Sequence, residues 1–203
     1  ESGLFYDQPV ANAEENLASV PVNTLAVQEG IASEEEAKTI VRRLAEQVMN
    51  NFPDGPPERR RNYRVSPMFS FYTIDVLFRH GESQAATDYM RKYWSYMLEN
   101  GAWTCWEFFA PVCSLCHAWS SSPTRHLSAW VLGIRPPGHG RQDVLIFDPH
   151  PGALDWAEGA WPHPKGPVRV RWERKDGDRI TYAIDAPEGV NVAVAEREDL
   201  VDE

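Results

Sequence analysis

Residues 168–194 read VRVRWERKDGDRITYAIDAPEGVNVAV, and apolar side chains here fall on every second position. Val168, Val170 and Trp172 alternate with Arg169, Arg171 and Glu173. Asp176-Gly177 signals a turn, Ile180, Tyr182 and Ile184 alternate beyond it, and Val190, Val192 and Val194 alternate again. A period of two marks strands with one face on a core and one in water. Val144-Leu145-Ile146-Phe147 reads as a further, buried strand. Residues 136–203 are therefore expected to form a small antiparallel β-sandwich module, interrupted by Gly and Pro.

Upstream the period is that of helices. Ser33-Glu34-Glu35-Glu36 is a capping box, followed at helical spacing by Ala37, Ile40, Val41, Leu44, Ala45, Val48 and Met49. Ser66-Pro67 predicts an N-cap with Pro at the first helical position, ahead of Phe71, Ile74, Leu77 and Phe78. A helix from Ser83 carries the pairs Ala85/Ala86, Tyr89/Met90, Tyr93/Trp94 and Met97/Leu98, and Asn100-Gly101 ends it. Ser122-Pro123 opens a short helix closed by Gly133, and another is expected over Leu17 to Gln28. Short connections favour helical hairpins. The fold class is mostly α then β, with residues 1–135 helical.

Composition narrows the function. Of 203 residues, 42% are hydrophobic and 25% charged, and the net charge is −10. That is globular, and a chain this long can bury about 70% of its unfolded surface. No run approaches the roughly 20 apolar residues of a membrane helix. The acidity argues against nucleic acid as a partner, although Arg59-Arg60-Arg61 in the Pro-rich stretch 52–64 is a local basic run. The three cysteines are too few for a disulfide framework and are read as reduced thiols. The chain starts Glu-Ser-Gly, so it is expected to be a piece of something longer or to have lost a leader. Its compartment, cytoplasmic or secreted, is not legible.

The densest chemistry lies between two helices, in residues 101–122, GAWTCWEFFAPVCSLCHAWSSS. Connections on a helical scaffold are where function concentrates. Glu107 sits among Trp103, Trp106, Phe108 and Phe109, and apolar rings around a carboxylate raise its pKa and suit acid–base work. A Glu reaching solvent or capping a helix fits the same letters. Cys113-Ser114-Leu115-Cys116-His117 matches a haem-attachment pattern, and with His126 the same cysteines offer a zinc set. One Cys pair with no second ligand pair supports neither, so no metal or cofactor is expected and the thiols are read as small and half-buried. His117 and Trp119 beside Glu107 could line a sugar pocket, where flat rings meet C–H faces and fixed polar groups meet hydroxyls. Trp94 and Trp130, at helical spacing, are read as core.

These residues carry a resemblance. Ser66-Pro67-Met68-Phe69-Ser70-Phe71-Tyr72, Tyr93-Trp94, Gly101 to Glu107, Ser114 to Ser120 and Leu132-Gly133-Ile134-Arg135-Pro136 are similar to the C-terminal part of the bacterial α-L-rhamnosidases. Pro149 to Gly159 and Pro164-Lys165-Gly166 resemble the β-sandwich that closes those enzymes. The likeness runs from about Leu17 to Val194. It implies a toroid of six helical hairpins, an (α/α)6 barrel of which this chain holds a part, followed by the β module. It implies an inverting glycosidase that releases terminal L-rhamnose, with a rhamnose-containing glycoside as ligand. Glu107 maps to the general base on water and His117 to a pocket residue, while Trp106 and Trp119 carry over more weakly as substrate contacts. Two departures stand out. The general acid belongs to a segment before those matched, and about five helices are present where the full toroid has twelve. The expected partner is therefore the N-terminal remainder of the same enzyme, and this chain alone is expected to be inactive. At position 103 the family pattern leads one to expect a small polar residue, and Trp103 stands there instead. A non-catalytic carbohydrate-binding or structural fragment, or a glycosidase or lyase of the same toroid acting on another sugar, remain alternatives.

Overall fold

The computed structural model describes residues 3–7, 18–50, 65–138, 144–175, 177 and 179–202, with the backbone alone for 47–50. Leu17, the side chains of Val48 and Met49, the Arg59-Arg60-Arg61 run and Asp176 lie outside what is described. The chain divides into two compact units, Glu1–Pro123 and Thr124–Glu203.

The first unit is helical. Helix α1, Val20–Gln28, starts where Ser19 caps it, its hydroxyl accepting from the Val22 N–H at 3.4 Å. Helix α2, Glu34–Asn50, opens on the expected reciprocal cap: Ser33 N–H donates to Glu36 Oε2 at 2.8 Å and Glu36 N–H to Ser33 Oγ at 3.4 Å. Three glutamates in its first turn face the positive end of the helix dipole. Helix α3, Ser70–Arg79, begins three residues later than Ser66-Pro67 predicted. Residues 67–69 form a turn, in which Ser66 Oγ accepts from the Phe69 N–H. The serine caps a turn that leads into the helix and not the helix itself. Helix α4 spans Ser83–Glu99 as its spacing predicts.

The apolar stripes of these helices meet in one core of Ile40, Leu44, Ile74, Leu77, Phe78 and Tyr89, each at most 1% exposed. Buried hydroxyls are paired within it: Thr24 with Thr73 at 3.2 Å, joining α1 to α3, and Ser70 with Tyr89 at 2.7 Å, joining α3 to α4. Burial pushes the Tyr89 phenol far up, so it stays neutral and serves as a hydrogen-bonding core residue.

The second unit opens with the last turn of helix α5, Ser122–His126, and a π-turn over Leu127–Val131. Leu132 N–H donates to Leu127 O at 2.7 Å, and the wide turn leaves its later carbonyls to find partners. They find them at long range. His150 N–H takes Trp130 O at 2.7 Å, and the Trp172 indole N–H takes Val131 O at 3.0 Å. Trp172 is 1% exposed, and that bond is what lets a polar ring atom enter the core.

Strands β1 (Ile134–Arg135), β2 (Val144–Phe147) and β6 (Asn191–Val194) form one sheet in the order β1-β2-β6. Strands β3 (Trp156–Trp161), β4 (Val168–Arg174), β5 (Ile180–Asp185) and β7 (Leu200–Asp202) form another in the order β3-β4-β5-β7. The inward rows follow the predicted alternation: Val168, Val170 and Trp172, then Ile180 and Tyr182, are buried. Phe147 of the first sheet meets Tyr182 of the second with ring centroids 4.8 Å apart. The expectation of an antiparallel module is corrected. Both sheets are mixed, because β2 pairs parallel with β6 and β5 parallel with β7. Alternation reports which face a residue takes and not which strand lies beside it or in what direction.

An ionic hub binds the bend after β2 to β1 and to the segment before β7. Asp148 accepts from Arg135 at 2.7 Å, His150 at 3.0 Å and Arg197 at 3.0 Å. Arg135 lies 4.2 Å above the Trp130 ring, and its guanidinium also reaches the carbonyls of Ala129 and Asp148. Burial alone would raise the Asp148 carboxyl, but the bonds from His150, Arg135 and Arg197 outweigh it and hold the group well below the usual carboxylate range. Gly133, at φ 87°, passes so close to this bend that a Cβ would lie 2.5 Å from the Pro149 nitrogen.

Candidate functional site

The connection after α4 folds back on itself as an irregular hairpin. Gly101, at φ 82°, ends the helix, and Ala102 N–H returns to Met97 O at 2.9 Å. Two backbone bonds then join the arms: Glu107 N–H to Ser114 O at 2.9 Å and His117 N–H to Cys105 O at 2.8 Å. The Thr104 hydroxyl adds a bond to Leu115 O. The two bonds are one residue out of a regular register, so the arms bulge and no strand forms.

The base of the hairpin is anchored on aromatic packing. Phe109, 9% exposed, meets Tyr93 at 4.7 Å and Trp94 edge-on at 5.2 Å, and Trp106 is 3% exposed. The Trp94 indole N–H donates to Ser120 O at 2.8 Å, which ties α4 to the far end of the connection. This half-buried Trp is thus the clamp of the loop as well as part of the core.

The upper side is open. Glu107 is half-buried, and its Oε2 accepts the Ser114 N–H at 3.3 Å, so the carboxylate is steered by the arm that leads to His117. His117 is half-buried and sits edge-on to Trp119, centroids 5.6 Å apart. Trp119 is 71% exposed and Trp103 98%. The hairpin therefore brings Glu107 and His117 onto facing arms and sets Trp119 against His117, while Trp106 turns inward. The aromatic run does not enclose Glu107 as its spelling suggested. The irregular bends of the arm leave Trp103 in solvent while Trp106 and Phe109 enter the core.

Ser114 and Thr104, which hold the arms together, carried no signal in the sequence, because the bonds they make depend on a cross-chain register. The expectation of half-buried thiols also changes: all three cysteines are free, Cys105 is half-buried, and Cys113 and Cys116 are exposed. Burial, with Cys116 nearby, pushes the Cys105 thiol up. Among the described residues no group of three or more His, Cys, Asp or Glu side chains is placed to hold a metal ion. A carboxylate steered by one amide keeps further lone pairs able to take a proton from water, and the ring pair on the facing arm offers an apolar face and an imidazole.

Comparison with known proteins gives a family match and matches among solved structures. Residues 133–200 match the family described as the bacterial alpha-L-rhamnosidase C-terminal domain. The whole chain is similar in structure to a GH78-family rhamnosidase of Bacillus sp. GL1, at 27% identity and a TM-score of 0.76, over 99% of this chain and 21% of that one. The chain thus spans about a fifth of the length of that protein. No curated protein sequence matches. The family match and this structural match both point to the C-terminal part of a bacterial α-L-rhamnosidase.

Proposed function

We propose that this chain is the C-terminal portion of an inverting glycoside hydrolase that releases terminal α-L-rhamnose, and that Glu107 is its water-activating base. The likeness of 99% of the chain to a rhamnosidase at a TM-score of 0.76 is the observation that carries this reading. Residues 1–135 then form the last part of a six-hairpin toroid, and residues 136–203 form the β-sandwich module that follows it in the chain.

Inversion needs an acid to protonate the leaving oxygen and a base on the opposite face, about 6.5–9.5 Å away, with a water between them. Glu107 takes the proton as the water attacks the anomeric carbon, while the Ser114 N–H keeps the carboxylate oriented. His117 offers a hydrogen bond to a sugar hydroxyl, Trp119 offers its face to the ring, and Trp106 backs the pocket from the core. The acid belongs to the four-fifths of the enzyme outside this chain, which is the partner this portion requires.

In the complete enzyme, Glu107→Gln keeps size and hydrogen bonding but accepts no proton. Azide, which needs no base, should restore turnover and give a glycosyl azide of inverted configuration. Full activity of the Gln variant without azide would remove Glu107 from the role. Robust rhamnose release by the purified 203-residue chain alone would overturn the view that the acid lies elsewhere.

A further inference from the structure

The outward face of the β3-β4-β5-β7 sheet holds a shallow groove of about 620 Å³. It lies opposite the buried row of Val168, Val170 and Trp172, so the core makes no use of it. Register fixes its two rungs: Glu158 stands beside Arg171 and Arg171 beside Ala183, then Ala160 beside Arg169 and Arg169 beside Asp185. The two alanines leave the hollow, because the long arginine side chains rise on the strand between them.

Trp156 closes one end and is 60% exposed. It is steadied by a neighbour: the Arg171 guanidinium lies 5.9 Å from the ring centroid and is itself held by Glu158 at 2.7 Å and by Glu173. At the other end no ion pair engages Arg169 or Asp185 among the described residues. The strand from residue 156 to 160 covers about 13 Å at the usual rise, long enough for a disaccharide or more.

The charge pattern selects the occupant. Both arginines stand on β4, with Glu158 on β3 and Asp185 on β5 flanking them, so an anionic ligand meets Glu158 and Asp185 and a cationic one meets Arg169 and Arg171. An apolar protein surface would bury Arg169 and Asp185 without partners, at the cost of their desolvation. Vicinal hydroxyls suit the pattern, since each can accept from a guanidinium and donate to a carboxylate while the C–H face of the ring covers an indole. We infer that this groove is a second glycan-binding site, distinct from the Glu107 hairpin, which takes a neutral oligosaccharide by stacking one sugar on Trp156 and hydrogen-bonding it to Arg169, Glu158 and Asp185.

The test is titration of the 203-residue chain with rutinose, a neutral rhamnose-containing disaccharide, followed by backbone amide shifts, with heparin as a polyanionic control. Saturable shifts at Glu158, Arg171 and Ala183 are expected. Trp156→Ala should weaken binding at least about tenfold, the scale of a lost aromatic contact. Ala183→Trp, which fills the groove without removing any of its polar groups, should abolish the shifts at Glu158 and Arg171, and Glu107→Gln should leave those shifts unchanged. Absence of saturable shifts, indifference to both groove variants, or heparin binding as tightly as rutinose would overturn the inference. Loss of the groove shifts in Glu107→Gln would overturn it too, by moving the sugar to the hairpin. Binding here with no rhamnosidase activity in the complete enzyme would sink the catalytic reading and leave this one standing.

Discussion

The hairpin at 102–117 and the bend at 148–150 are both irregular chain, and they are held in opposite ways. The bend is braced by a half-buried carboxylate with three cationic or imidazole partners, by carbonyls taken up from a distance, and by a glycine that nothing larger can replace. The hairpin has two backbone bonds, one hydroxyl bond and the Ser114 N–H on the Glu107 carboxylate across its arms, and it leaves Trp103 and Trp119 in solvent. Irregular backbone is stabilised only when its polar groups are answered, and in the bend they are answered internally. In the hairpin the unanswered surface is what a ligand, or the rest of an enzyme, can use. The bend is scaffold, and the hairpin is where the proposed chemistry would sit.

Substitutions can break or sharpen that contrast. The largest effect should be on activity at the hairpin: Glu107→Gln in the complete enzyme should lower kcat by about 10²–10⁴-fold with little change in KM. It should leave urea unfolding of this chain nearly unmoved, and a large loss of stability would mean that the hairpin is scaffold after all. At the bend the order reverses. Gly133→Ala should cost about 3 kcal/mol, from a left-handed backbone and a clash with the Pro149 nitrogen, read as a lower urea midpoint at unchanged slope.

Asp148→Asn should cost about 2 kcal/mol at neutral pH, because Arg135 and Arg197 lose the charge they share. The pH dependence has a definite sign. The folded Asp148 carboxyl titrates below its unfolded value of about 3.9, so its stabilisation is fully present above that pH. It is lost as the pH falls through that value toward the folded one, and the gap between wild type and Asp148→Asn should close on acidification. A gap that stays constant down to pH 2 would show the hub to be neutral packing. Trp119→Ala should give the smallest change, within about 0.5 kcal/mol of wild-type stability, since the ring is mostly in solvent. Its effect should appear instead as a raised KM in the complete enzyme.

Local features were legible in the letters. Ser33 and Glu36 spell a cap that forms with the expected bonds, and α4 follows its four-residue pairs from Ser83 to Glu99. Alternation placed Val168, Val170 and Trp172 inward. The candidate site was legible as a stretch, because Glu107, His117 and Trp119 lie within 13 residues of a single connection between helical segments. Their arrangement was not. That Glu107 faces Ser114, that Trp106 turns inward while Trp103 does not, and that Trp94 clamps Ser120 all depend on how two arms cross.

The sequence alone determined where helices give way to strands and which face of each element is apolar, because those properties depend on residues within a few positions of one another. Only the tertiary structure decided the parallel partners of β6 and β7, the start of α3 past Ser66-Pro67, the indole that satisfies the π-turn, and the convergence of Arg135, His150 and Arg197 on Asp148. Each of these joins groups far apart in the chain or chooses among local options of similar free energy. The winner is then the arrangement that leaves fewest buried polar groups unanswered, which is a property of the whole fold.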